Sequence, residues 1–155
     1  MENKESPASG FPTFSVAKRR ATAAVLGKAG SPSAVPQLAG FLTDPHPKVR
    51  VEAAIALGRL ANSAAVPYLT VTLGDPEGEV RAAAIAALGR IRDPACVPEI
   101  IRLLKDRDMN VRIGAATILG RLGSRTAKEP LRALLSDPFS EVRDAAEDAI
   151  RRISN

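Results

Sequence analysis

The sequence contains few of the residues from which enzymes build catalytic sites. Its 155 residues include one histidine, one cysteine and no tryptophan, and aromatic residues make up 3% of the chain. The histidine, His46, lies between two prolines. A single histidine cannot supply the several ligands of a histidine-based metal site, and the sequence shows no Ser-His-Asp arrangement around it. A phosphate-binding loop of the form GxxxxGK[ST] is also absent. We therefore predict a protein that is not an enzyme and that uses no metal or other cofactor.

Long apolar runs are missing as well. No stretch of about 18 apolar residues exists, so we expect no transmembrane helix. The first residues, MENKESPASGFPTF, are polar and rich in proline and glycine, without the apolar segment of a secretory signal. We expect residues 1–14 to form a flexible or capping tail, with Phe11 and Phe14 available to fold over the first helix. The expected location of the protein is the cytoplasm.

What the chain does contain is an internal repeat with a period of 31 residues. Four kinds of residue recur at this period, which is the signature of a repeat array. The recurring positions are Asp44, Asp75, Asp106 and Asp137; Val49, Val80, Val111 and Val142; Arg50, Arg81, Arg112 and Arg143; and Gly27, Gly58, Gly89 and Gly120. Cys96 falls in a column otherwise occupied by alanine, which predicts a small buried residue rather than a reactive thiol.

Each repeat reads as a short helix followed by a longer one. In one copy Val80, Ala84, Leu88 and Ile91 recur with the helical period of 3.6 residues, and an Asp-Pro pair precedes the helix. Two helices of this length cannot bury their apolar faces alone, so the pairs must stack. The predicted short helices are 34–42, 64–73, 95–105 and 126–135, and the predicted long helices are 15–29, 47–60, 79–91, 109–122 and 139–153.

The repeat resembles a HEAT repeat, and its period is most similar to the HEAT-like repeats of phycobilin lyase subunits and their prokaryotic relatives. The resemblance rests on an Asp followed six residues later by Arg, on the Val before that Arg, and on the A-x-x-A-L-G that follows. It implies an all-α fold, an α-solenoid of about four helix pairs plus one extra N-terminal helix in a single domain, 15–155. In such families the recurring aspartates and arginines form a structural ladder between adjacent turns, which here would comprise Asp44, Asp75, Asp106, Asp137, Arg50, Arg81, Arg112 and Arg143.

One basic residue lies near the end of every long helix. If the long helices stack about 10 Å apart, these side chains form a continuous basic column. A cation in the last turn of a helix also offsets the helix dipole, so the column has both a binding and a purely structural interpretation. Its members are Lys28, Arg59, Arg90, Arg121 and Arg152.

A second set of positions on the long helices points away from the predicted core. The resemblance places the second helix of each pair on the concave surface, where these residues would form a small apolar strip beside the basic column. The alternative is that Val51 and Ile113 are packed against neighbouring helices. The candidate contacts are Val51, Ile55, Ala86, Ile113 and Thr117.

We therefore predict a non-catalytic protein–protein interaction scaffold or adaptor that binds a protein partner through this concave surface. The resemblance also implies an enzymatic alternative, a subunit of a bilin lyase or a related chromophore-handling factor. A further alternative is nucleic-acid binding through the basic column together with Lys18, Arg19 and Arg20. The modest net charge of +5 and the scarcity of aromatic residues count against that alternative.

Overall fold

The computed structural model describes residues 14–155, and within this range it contains nine α-helices and no strand. Long and short helices alternate along the chain, as the repeat predicts. The long helices are α1 (Val16–Ala29), α3 (Pro47–Leu60), α5 (Gly78–Ile91), α7 (Met109–Leu122) and α9 (Ser140–Ser154), and the short ones are α2 (Val35–Phe41), α4 (Val66–Thr72), α6 (Val97–Arg102) and α8 (Lys128–Ala133). The predicted α-solenoid, four helix pairs plus one N-terminal helix, is confirmed.

The short helices are flanked by 3₁₀ turns that the helical pattern did not reveal. One such turn precedes every short helix, and a second follows α6 and α8. The predicted short helix 95–105 is therefore divided into a 3₁₀ turn, a helix and another 3₁₀ turn. The turns are Pro32–Ala34, Ser63–Ala65, Pro94–Cys96, Leu103–Lys105, Arg125–Ala127 and Leu134–Ser136.

The long helices pack side by side through small residues. A Cβ atom on Gly58 would lie 2.8 Å from the backbone Cα of Ala87, and one on Gly120 would lie 2.6 Å from that of Ala149. Glycine on one helix and alanine on the next therefore permit a very close approach. The α5–α7 junction differs because Ile118 lies opposite Gly89, and these two helices pack less extensively than the other long pairs.

The core lies between the layer of long helices and the layer of short helices. Its largest members are leucines and isoleucines contributed once per repeat by each layer. Those without solvent exposure include Leu38, Leu57, Leu69, Leu88, Ile100, Leu119 and Leu131. Open crevices lie between α2 and α4 and between α6 and α8, whereas glycine and alanine bring the long helices into close contact. The array must therefore curve with the long helices on the inner side.

The two ends of the array are finished differently. Val25 on α1 occupies the column of Ala56 and Ala87, which are buried against the preceding long helix, but Val25 itself is 63% exposed. At the other end, α9 carries Glu147 and Arg151 where α7 carries a buried alanine and a buried glycine. The C-terminal face of α9 is thus polar, while the N-terminal face of α1 exposes an apolar side chain, Val25.

The tail assigned to residues 1–14 is described only at its last residue. Phe14 lies with its ring 3.9 Å from the Nζ atom of Lys18, and its carbonyl accepts a hydrogen bond from Arg19. Phe11 lies outside the described residues. Phe14 therefore contacts α1.

Candidate functional site

The turns between short and long helices are held by buried ion pairs between repeats. Arg81 donates through Nε and Nη2 to the two carboxylate oxygens of Asp106, at 2.8 and 2.7 Å. Its remaining nitrogen, Nη1, donates to the carbonyl of Asp75 at 2.8 Å. The two side chains of the pair are each 7% exposed. One guanidinium therefore joins the aspartate of its own repeat to that of the next, in a bidentate and geometrically specific way.

The same arrangement recurs along the whole solenoid. Each arginine pairs with an aspartate 25 residues later, and each aspartate also accepts a backbone N–H two residues further along its turn. The pairs are Arg19–Asp44, Arg50–Asp75, Arg81–Asp106 and Arg112–Asp137, with closest distances of 2.7, 2.7, 2.7 and 2.8 Å.

Arg19 is the member of this ladder that the sequence interpretation missed. By itself, its position beside Lys18 and Arg20 suggests only a basic cluster. Stepping back 31 residues from Arg50 leads directly to Arg19, so the repeat itself carried the signal. At the other end, Arg143 donates to the carbonyls of Asp137 and Pro138 at 2.7 and 3.2 Å, but has no aspartate partner within residues 14–155.

Three of the ladder carboxyls, those of Asp44, Asp106 and Asp137, have pKa values below the ordinary value. For Asp44 burial acts to raise the pKa, but hydrogen bonds from the Arg19 guanidinium and the His46 N–H outweigh it and hold the pKa below the ordinary value. The pKa of Asp106 is lowered in the same way, with Arg81 and the Asp108 N–H opposing burial. These carboxylates are ionised, and their oxygens accept hydrogen bonds that link neighbouring repeats.

Among the polar and ionisable groups of residues 14–155, no three metal-ligating side chains come together, and every buried side-chain nitrogen or oxygen has a hydrogen-bond partner. Cys96 is fully buried, and burial raises the pKa of its thiol. No helix in this range is long and apolar enough to cross a membrane.

The structure brings five of the outward-facing candidates close to a shared surface on α3 and α5. A crevice of about 200 Å³ opens there, with alanines at its base and a basic residue from each helix beside it. Ile55 on α3 is 38% exposed at one side. The lining residues are Ile55, Arg59, Ala83, Ala86, Ala87 and Arg90, which include four of the candidate contacts; Val51 lies one turn before Ile55 and is half-buried.

The basic column lies where the sequence placed it, in the last turn of each long helix. Lys28, Arg59 and Arg121 are exposed. Arg90 is exposed too, but its Nε donates to the carbonyl of Gly58 at 3.3 Å, at the end of the neighbouring helix. Arg152 is engaged by Asp148 at 2.6 Å. Arg90 thus has a packing role, and its other guanidinium nitrogens form no hydrogen bond with residues 14–155.

The apolar strip is narrower than the sequence suggested. Ala86 and Thr117 are exposed, as is Ile55. Ile113 is half-buried and packs against the hydrophobic core. Of the five candidate contacts, Ile55, Ala86 and Thr117 are therefore the accessible ones, and Ile113 contributes to packing between α7 and its neighbours.

Two crevices on the short-helix side were not predicted. One of about 440 Å³ lies between α6 and α8, with Leu104 and Pro130 among its lining residues. The other, of about 250 Å³, lies between α2 and α4 beside Tyr68 and Val71. Val71 is 81% exposed. The sequence signal that could have predicted these crevices is the presence of apolar residues on the outer face of a short amphipathic helix.

Comparison with known proteins agrees with this architecture. A family model described as HEAT repeats matches residues 13–77 and 69–151. In structure the chain is similar to a chain from the complex of CpcE and CpcF of phycocyanin lyase from Nostoc sp. PCC7120, with 26% identity and a TM-score of 0.78 over 99% of this chain and 70% of that one.

Two further solved structures share the fold. One is an engineered protein, 24% identical, with a TM-score of 0.70 over 92% of this chain and 75% of that one. The other is a designed armadillo repeat protein in complex with the peptide (KR)4, 18% identical, with a TM-score of 0.69 over 90% of this chain and 77% of that one. No curated protein matches the chain.

Proposed function

Because this chain belongs to the HEAT repeat family, we propose that it is a non-catalytic scaffold that binds a protein partner on the concave face of its long helices. The proposal rests chiefly on the crevice between α3 and α5. Alanines leave room there for a partner side chain, and Ile55 supplies exposed apolar surface beside Arg59 and Arg90. Apolar contacts rimmed by charge are the usual composition of such interfaces.

The charge of the crevice selects the kind of partner. Arg59 and Arg90 both line it, and no acidic side chain does. A guanidinium binds carboxylates with two parallel hydrogen bonds, which gives orientation as well as attraction. The favoured partner is therefore a segment with an apolar anchor next to Asp or Glu, and Arg121 lies further along the same column to extend the contact.

Affinity capture with two matched double variants tests the proposal. The site variant carries Ile55→Ser and Arg90→Gln, and the control carries Val71→Ser and Arg125→Gln, which make the same changes at exposed positions outside the crevice. Tagged proteins are incubated with native lysate, and bound proteins are identified by mass spectrometry. We expect a discrete partner with the wild type and the control, and at least tenfold less of it with the site variant.

The outcome that contradicts the proposal is equal capture by all three proteins. Circular dichroism must show that the site variant remains helical, since Arg90 also bonds to Gly58. Repeating the capture after nuclease treatment addresses the nucleic-acid alternative. If nuclease removes the bound material and raising the salt concentration weakens binding steeply, the basic column binds phosphates instead.

A second candidate function comes from the similarity to the phycocyanin lyase chain, which extends over 99% of this chain. That neighbour was solved as a complex of two chains, so the corresponding function here is a subunit of a two-chain lyase or a chromophore-handling factor. The same capture distinguishes this candidate. Its expected partner is a second repeat chain, and the reconstituted pair should change the absorption spectrum of an added bilin.

A further inference from the structure

The last arginine of the ladder is held in position without a carboxylate to bind. Arg143 places Nη1 2.7 Å from the carbonyl of Asp137 and 3.2 Å from that of Pro138. Arg112 makes the corresponding bonds to Asp106 and Arg107, at 2.8 and 3.4 Å. The anchored half of the guanidinium is therefore the same in both repeats.

The other half of the guanidinium differs. In Arg112 the Nε and Nη2 atoms hold the two oxygens of Asp137, at 2.8 and 3.1 Å. In Arg143 neither atom has a hydrogen-bond partner within residues 14–155, and neither is buried, since no buried polar side-chain atom in this range lacks a partner. The nearby Glu141 accepts a hydrogen bond from Ser140 instead. A pre-oriented bidentate donor thus faces solvent.

An uncovered leucine lies at the same end of the array. Leu42, Leu73, Leu104 and Leu135 occupy one column of the repeat; the first three are 7%, 5% and 2% exposed, but Leu135 is 39% exposed. Leu42 shares a crevice with Thr72, Gly74 and Asp75 of the following repeat. The segment that brings the aspartate to the arginine is therefore also the segment that lies beside the preceding leucine.

We propose that Arg143 and Leu135 form a docking site for a partner protein that presents an aspartate two residues after an apolar residue, in the form Leu-x-Asp-Pro. Four ladder aspartates of this chain follow a leucine at that spacing, in LTDP, LGDP, LLKDR and LSDP. The aspartate would bind the Nε and Nη2 edge of Arg143, as Asp75 binds Arg50. The residues on either side of the partner's apolar residue would lie beside Leu135, as Thr72 and Gly74 lie beside Leu42. This site is separate from the α3–α5 crevice.

A second copy of the chain fits the site poorly. The position one period before Asp44 is Thr13, which has no carboxylate to offer. The neighbouring face of α9 carries Asp144, Glu147 and Arg151 where the preceding helices have smaller or apolar residues. A whole repeat could not pack closely on that face, but a loop approaching from the side of the turn would avoid it.

The probe is a capped peptide with the sequence Thr-Leu-Gly-Asp-Pro-Glu, residues 72–77, which presents Asp75 to Arg50 within the chain. It is titrated into the full chain while the arginine Nε resonances are followed by NMR. We expect the Arg143 signal to shift at millimolar peptide, and binding to weaken about tenfold when the peptide aspartate is changed to asparagine.

Protein variants test whether the bidentate donor is responsible. Arg143→Gln and Arg143→Lys should each weaken binding about tenfold, because lysine keeps the charge but cannot make the paired bonds. The matched control Arg125→Gln should bind as the wild type does, as should the Ile55→Ser/Arg90→Gln variant of the α3–α5 crevice. Failure of that crevice to bind a partner would therefore leave this result unaffected.

Three outcomes would overturn the proposal: an Arg143 signal that does not move, equal affinity for the aspartate and asparagine peptides, or full binding by Arg143→Gln. Light scattering on the free chain tests whether a second copy of the chain, rather than a different protein, occupies the site. If the wild type self-associates and Arg143→Gln does not, the site serves a second copy and the assignment to a different protein is wrong.

Discussion

At Gly120 the molecule has no room for a side chain. A Cβ atom there would lie 2.6 Å from the Cα of Ala149 on the next helix, and backbone atoms cannot move aside as the end of a flexible side chain can. Gly89 occupies the same column, but its nearest neighbour is the side-chain tip of Ile118. The glycine column therefore sets the spacing between α7 and α9 more strictly than that between α5 and α7.

Replacing Gly120 by alanine should lower the free energy of unfolding by about 2 kcal/mol, because the cost of overpacking exceeds the gain in helix propensity. Gly40→Ala is the matched control. Gly40 lies in α2 with no atom within 4 Å of its would-be Cβ, so that change should stabilise by about 0.5–1 kcal/mol. Urea unfolding monitored by circular dichroism measures both, and equal effects would contradict the packing argument.

At the scale of elements, the helices begin and end close to the prolines, capping residues and glycines that mark helix boundaries in the sequence. The predicted long helices 47–60 and 109–122 coincide with α3 and α7. Pro47 favours the start of α3, the Asp108 side chain caps the start of α7, and a left-handed residue ends each helix. The 3₁₀ turns were not predicted, although proline explains three of them. Pro98 has no N–H to donate to the Pro94 carbonyl, so Val97 donates instead.

The long helices α1, α3, α5 and α7 end in a left-handed residue, but only α1 and α7 use glycine for it. The residues are Gly30, Ala61, Arg92 and Gly123, with φ angles of 70°, 49°, 61° and 65°. A side chain with a Cβ costs about 1 kcal/mol in this conformation, and glycine avoids that cost. Two of the four caps therefore carry strain that a single substitution would relieve.

Ala61→Gly should accordingly raise the free energy of unfolding by about 0.5–1 kcal/mol. The reverse change, Gly123→Ala, should lower it by a similar amount; its would-be Cβ has no neighbour within 4 Å, so only the φ angle is at issue. Urea midpoints of the two variants should move in opposite directions. Shifts of the same sign would show that the cap conformation is not what controls stability here.

At the scale of the whole molecule, the family resemblance predicted a ladder of aspartates and arginines between adjacent turns, but it omitted Arg19 and included Arg143, which has no aspartate partner within residues 14–155. The Asp and Arg six residues apart in one repeat do not pair with each other through their side chains; each arginine reaches the aspartate of the following repeat. That choice depends on the rotation between successive repeats, which no single copy encodes. The same uncertainty applied to Ile113, whose half-buried position depends on how closely α7 approaches its neighbours.

The ladder should make the fold sensitive to acid. The pKa values of Asp44, Asp106 and Asp137 lie below the ordinary value. A carboxyl whose pKa is lowered on folding stabilises the protein above its unfolded pKa of about 3.9, and this stabilisation is lost as the pH falls through the folded value. Stability should therefore change little between about pH 7 and 5 and decline steeply below about pH 4.

Asp106→Asn should lower the free energy of unfolding at pH 7 by about 2–4 kcal/mol, because Arg81 is left largely buried without its counter-charge. It should also flatten the decline in acid. Asp93→Asn is the control, since Asp93 caps a turn through Ala95 and Asn62 already performs that role one repeat earlier. Urea unfolding at pH 7 and pH 3.5 separates the two, and an unchanged acid dependence in Asp106→Asn would contradict the role of the ladder.

Because each arginine pairs with the aspartate of the next repeat, a whole repeat can be removed or added without changing this pattern of pairing. Excising residues 93–123 would join Arg92 to Ser124, bring Arg81 to Asp137, and place Gly89 opposite Ala149, the same small pairing found at the α3–α5 junction. The ladder and the glycine–alanine contacts broken by the cut would be remade by equivalent residues, whereas the hydrogen bond from Arg107 to the Pro76 carbonyl would be lost because Pro138 stands at the equivalent position. Duplication of a unit would work by the same logic, so a gene for this chain can gain or lose whole repeats in frame while the solenoid keeps its register.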